Sequence, residues 1–152
     1  MSESKIDIDR ILSIIFFIAI IIAIVMTVYV IVTPKQGEKF TEFYILGPEG
    51  VADDYPTDLT VGEEGEVIIG VVNHEYASIT YLLEVKLNET VMGDEKLCLE
   101  HNETWEQPFF FEVAEKGEDR KVEFLLYRDQ DRNESDETGE PYRSLHLWVD
   151  VC

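Results

Sequence analysis

Residues Ile11 to Val32 run for twenty-two positions without a charged side chain, and only Ser13, Thr27 and Tyr29 break their apolar character. As a helix this run rises roughly 33 Å, close to the hydrocarbon thickness of a bilayer. Charges bracket it: Asp7, Asp9 and Arg10 before, Lys35, Glu38 and Lys39 after. Thr33-Pro34 ends it, because proline disfavours helical geometry in the residue before it. A buried core helix of this length needs a large protein around it, and only 120 residues follow Val32. A cleaved signal has a shorter apolar core and a small-x-small cleavage site, whereas Ala19 and Ala23 lie inside the run. The expectation is an uncleaved signal anchor. It gives a cytoplasmic tail (1–10), a transmembrane helix (11–32) held in the lipid bilayer, a linker (33–39) and an extracytoplasmic domain (40–152).

The flanking charges do not orient the helix. Lys5 and Arg10 on one side balance Lys35 and Lys39 on the other, so the positive-inside rule is mute. The asparagines speak instead. Of Asn73, Asn88, Asn102 and Asn133, the last three open glycosylation sequons, with Thr90, Thr104 and Ser135 completing them. Turn chemistry also favours asparagine beside threonine, but three sequons point to an external, N-glycan-bearing domain at the cell surface. From residue 33 on, 29 acidic side chains face 10 basic ones. Such a surface repels nucleic acid and anionic lipid and suits a basic partner or divalent cations. Cys98 and Cys152 are the only cysteines. In an oxidising compartment they are expected to form one disulfide, pinning the C-terminal strand.

Beyond the linker the periodicity becomes strand-like. Phe40–Leu46 is aromatic and β-branched and stops at Gly47-Pro48. Leu59–Val61 and Glu66–Val72 read as a strand pair or one broken strand. Ile79–Leu87 alternates, with Ile79, Tyr81, Leu83, Val85 and Leu87 on one face. Glu95–Leu99, Thr104–Val113, Arg120–Arg128 and Ser144–Val151 follow. Six to eight short strands without a helical period predict an all-β, Ig-like antiparallel β-sandwich behind the one N-terminal transmembrane helix. Trp105, Phe109, Phe110, Phe111, Tyr142 and Trp148 are core candidates. The run Phe109-Phe110-Phe111 must point to both faces of its sheet, so one of those faces needs cover from a partner or the second sheet.

Phe43-Tyr44-Ile45-Leu46-Gly47-Pro48, Tyr55-Pro56-Thr57, Leu59-Thr60-Val61-Gly62, Val71-Val72-Asn73-His74-Glu75-Tyr76 and Tyr142–Val149 occur in an order that resembles an archaeal membrane-protein family, domain of unknown function 1616. The resemblance covers most of the external domain. It implies archaeal origin, membrane placement and β architecture, and supplies no catalytic residues.

The segment Asp129 to Glu140 has oxygen ligands at calcium-loop spacing: Asp129, Asp131, Asn133, Ser135, Glu137 and Glu140. Against a Ca²⁺ site stand Glu134, where the sharp turn wants glycine, the lack of flanking helices, and the sequon at Asn133. A solvated acidic loop is the plainer reading. His74, His101 and His146 lack any spacing that fixes a zinc site. Asp53, Asp54 and Asp58 read as turn formers rather than an acid–base pair. No nucleophile elbow, zinc-protease helix or phosphate loop occurs. The expectation is therefore a non-enzymatic, membrane-anchored module without a cofactor. It would bind a protein or glycan or serve as a subunit of an envelope assembly, homo-oligomer included. The alternative is a Ca²⁺-binding accessory or sensory domain, and an envelope-polymer enzyme ranks last.

Overall fold

The structure, a computed structural model, describes residues 3–33, 35–132 and 139–152. Two compact units make up the chain, Met1–Gly37 and Glu38–Cys152. The first is one helix, α1 (Glu3–Val32). Within it Asp7–Val32 is long and apolar enough to cross a membrane, rising about 39 Å. Its apolar side chains are exposed all the way round. A helix apolar on every side has no amphipathic stripe for a protein core and suits hydrocarbon. The Thr27 hydroxyl donates to the Ala23 carbonyl at 2.8 Å, so this polar group needs no outside partner.

The described residues of the second unit form eight strands: β1 (Phe40–Leu46), β2 (Asp58–Leu59), β3 (Glu64–His74), β4 (Ile79–Leu87), β5 (Thr90–Leu99), β6 (Thr104–Glu112), β7 (Gly117–Arg128) and β8 (Arg143–Val151). They form a three-stranded sheet, β1-β3-β6, and a five-stranded sheet, β2-β8-β7-β4-β5. The core lies between the inward rows of the two sheets. Val67, Ile69 and Val71 of β3 meet Tyr81, Leu83 and Val85 of β4, Val122, Phe124 and Leu126 of β7, and Leu147, Val149 and Val151 of β8. Each such side chain contributes roughly 1.5–3 kcal/mol over its exposed state. The family of β-sandwiches predicted from alternation is the fold observed.

Several details depart from expectation. Leu59 does not belong with β3: Asp58 and Leu59 pair in parallel with Asp150 and Val151, in the other sheet. β5 begins at Thr90 rather than Glu95, since Asn88 and Glu89 make a tight turn with φ of 45° and 72° and lead directly into it. The expected disulfide is absent, and Cys98 and Cys152 are both free and exposed. Cys98 faces Thr80 at one end of the five-stranded sheet. Arg143 lies level with Leu83, and Cys152 is nine residues farther along β8. The two thiols are thus about twelve strand positions apart, roughly 40 Å, far beyond bridging distance. Of the aromatic core candidates only Phe111 is fully buried. Phe110 and Trp148 are 50% and 49% exposed, because each points to the outer face of its sheet.

Candidate functional site

One end of the sandwich is organised by a buried carboxylate. Glu75 follows β3 and is 5% exposed. Its Oε1 accepts from Thr41 of β1 (3.0 Å), from the Tyr142 hydroxyl (2.8 Å) and from Arg128 Nη1 of β7 (3.1 Å). Thr41 spends its only hydrogen on Glu75, so the Tyr81 hydroxyl 2.8 Å away donates to Thr41. Arg128 also binds Asp131 and lies 3.7 Å over the Tyr142 ring. Burial pushes the Glu75 carboxyl up, but the hydrogen bonds from Tyr142 and Thr41 and the Arg128 charge outweigh it and hold the pKa below the usual range. Beneath it, buried Asn73 donates to the Ala77 and Leu99 carbonyls and accepts from the Glu75 N–H. These bonds join β1, β3, β4, β7 and the residue that leads into β8, so this cluster fastens the fold.

The open site lies at the side, where the two sheets end in the free edges of β5 and β6. A pocket of about 100 Å³ enters there, lined by Ile69, Leu83, Val85, Gly93, Trp105 and Phe109, with Asp94, Glu95 and Gln107 among its walls. Its geometry follows from register. Trp105, Gln107 and Phe109 oppose Val71, Ile69 and Val67, so all three point inward from β6. Glu95 opposes Leu83, so it too projects to the inner side from β5. Phe109 packs against the Gly93 backbone, where a Cβ would meet its ring at 3.2 Å. Among the described residues no further strand covers this seam, and Trp105 and Phe109 stay half-buried. An apolar floor with a few convergent polar groups is the usual make-up of a ligand pocket. The signals for it were two: a glutamine on the inward face of β6, and Pro108, which a central strand would not tolerate.

The other sequence candidates do not converge. Asp129 and Asp131 sit in a single 3-10 turn and face Lys96 (3.7 Å) and Arg128 respectively, so cations of the chain already occupy them. Glu140 is exposed, and Asn133 and Glu137 lie outside the described residues. Among the described residues no group of three or more His, Cys, Asp or Glu is placed to hold a metal ion. His74 bridges Glu42 (3.0 Å) and Asn102 (3.1 Å), His101 stacks on Tyr76 at 4.4 Å, and His146 meets Trp148 edge-on on the other sheet. Asp53 caps the Asp54 N–H, and Asp58 accepts from Thr57. Of the sequon asparagines, Asn88 and Asn102 are exposed at turns with φ of 45° and 63°. Each uses its Oδ1, Asn88 toward the Lys121 N–H and Asn102 toward His74, and in neither bond is the amide nitrogen engaged.

A family described as a domain of unknown function, DUF1616, matches residues 34–150. No curated protein matches the chain. Among solved structures, the CARDB domain of the PF1109 protein from Pyrococcus furiosus, crystallised in complex with di-metal ions, is similar with a TM-score of 0.55 and 15% identity, covering 78% of this chain and 97% of that one. A β-glucosidase from Listeria innocua is similar with a TM-score of 0.51 and 14% identity, over 79% of this chain but 17% of the enzyme. At such identities the likeness is one of fold.

Proposed function

Since the chain belongs to the DUF1616 family, whose description assigns no activity, we propose its function from its own residues: a membrane-tethered, non-enzymatic recognition module that binds a glycan between β5 and β6. The carrying observation is the seam itself, where Trp105 and Phe109 present ring faces beside Glu95 and Gln107. Aromatic faces stack on the C–H faces of a sugar ring, while a carboxylate and an amide exchange hydrogen bonds with its hydroxyls. Helix α1 supplies the tether, and the exposed sequon turns at Asn88 and Asn102 support an extracytoplasmic domain. No nucleophile, base and orienting group meet at the pocket, which favours binding over turnover.

The full chain in lipid nanodiscs should bind a subset of an array of neutral envelope-type glycans. Trp105→Ala should weaken that binding by about 1–3 kcal/mol, the range for losing a packed aromatic contact. A chain that binds no glycan, or a Trp105→Ala variant that binds as well as the parent, refutes the reading.

A further inference from the structure

We propose that the outer face of the three-stranded sheet is a docking surface for a basic protein partner. Register defines that face. Phe40, Glu42, Tyr44 and Leu46 come from β1, and Glu64, Glu66, Ile68, Gly70, Val72 and His74 from β3. β6 adds Thr104, Glu106, Pro108, Phe110 and Glu112. The face therefore carries five glutamates and neither lysine nor arginine. Its charge is not a mere share of an acidic chain. The outer face of the five-stranded sheet mixes Lys86, Lys96 and Lys121 with Glu84, Asp94 and Glu123, and pairs Lys86 with Glu84 (3.5 Å) and Lys121 with Glu123 (2.6 Å).

Three observations point to an occupant. Glu64 stands directly opposite Glu112 across the β3–β6 ladder, a like-charge pair that costs stability unless a cation joins it. Two carboxylates are held in place: Glu106 accepts from the Tyr44 hydroxyl at 2.7 Å, and Glu42 meets His74 at 3.0 Å. Phe110 is 50% exposed, directly across from Glu66 and followed two residues on by Glu112, with the half-buried Ile68 diagonal to it. An aromatic anchor ringed by fixed charges of one sign is complementary to a surface of Lys or Arg around an apolar side chain. A second copy does not fit: this face repels itself, and the outer face of the five-stranded sheet is already neutralised within the chain. Strand addition does not fit either, because Pro108 interrupts the donors along the edge of β6.

The test uses the full chain in zwitterionic nanodiscs and a short lysine-rich peptide with one central leucine, read by fluorescence anisotropy. Glu42→Gln/Glu66→Gln/Glu106→Gln should weaken binding about tenfold, and Glu84→Gln/Asp94→Asn/Glu123→Gln, which removes the same charge from the other sheet, less than about threefold. Phe110→Ser should weaken the leucine peptide by about threefold and leave a serine-substituted version of it unchanged. Binding should fall with added salt. Equal losses for the two triple variants, or no effect of either the first triple or Phe110→Ser, overturns the proposal. Thermal unfolding of each variant separates loss of the face from loss of the fold.

Discussion

Tyr44 lies over Gly70 so closely that a Cβ added at residue 70 would sit 2.1 Å from its ring. The ring covers a backbone that has no side chain of its own, and its hydroxyl reaches across β3 to Glu106 on β6. Burial, the Glu106 hydrogen bond and the neighbouring carboxylates push the phenol up to about 12. Gly70→Ala must expel this ring. It should destabilise the domain by about 1–3 kcal/mol and return the Tyr44 phenol toward 10, its ordinary value. In a Tyr44→Ala background the same substitution should cost little, since glycine is itself unfavourable inside a strand. Denaturant unfolding of the four proteins and a spectroscopic phenol titration check this; an equal cost in both backgrounds refutes it.

Glu75 makes the fold sensitive to acid. Its carboxyl is held below its ordinary value of 4.5 in the folded state. A depressed folded pKa stabilises fully above the unfolded value, and the contribution disappears as pH falls through the folded one. Glu75→Gln should cost about 2–3 kcal/mol at pH 7, because it leaves the Arg128 guanidinium without its buried counter-charge. The variant should also lose less stability than the parent as pH drops below 4.5. Urea unfolding across that range decides, and parallel pH curves for the two proteins count against the role given to Glu75.

The thiols should behave independently. Intact mass after alkylation without reductant should show two modified cysteines per chain, and reductant should leave the unfolding midpoint unchanged. A chain that resists alkylation until it is reduced contradicts the separation of Cys98 and Cys152.

Pro108 should matter to solubility rather than stability. It lies on β6, which has no strand beyond it, and it removes one donor from that free edge. Pro108→Val restores the donor and the β propensity. Light scattering should show the variant self-associating at concentrations where the parent does not; identical scattering refutes this.

Much of the sandwich was legible because alternation is local. Ile79, Tyr81, Leu83 and Val85 announce β4 almost to the residue, and Leu147, Val149 and Val151 do the same for β8. What escaped depends on distant partners. Leu59 carries no sign that it pairs with Val151 rather than with β3. The β4–β5 turn lacks the usual glycine, so Asn88 and Glu89 concealed the start of β5. The disulfide looked reasonable from a count of two, and only strand order reveals that its halves lie at opposite ends. The pocket was not legible: Trp105 and Phe109 read as core residues, and the facing wall comes from Gly93, Asp94 and Glu95, whose strand the sequence left partly unread.

The fastening around Glu75 has a mechanical meaning. The linker enters the sandwich at Phe40, so tension carried along it arrives first at Thr41. Thr41 is bonded to Glu75 and Tyr81, and through Glu75 to Arg128 and Tyr142. Behind it, β1 is laddered to β3 over seven residue pairs. The point where the linker joins the sandwich is thus tied across both sheets, so load arriving at Thr41 is shared with the elements that carry the partners of Glu75.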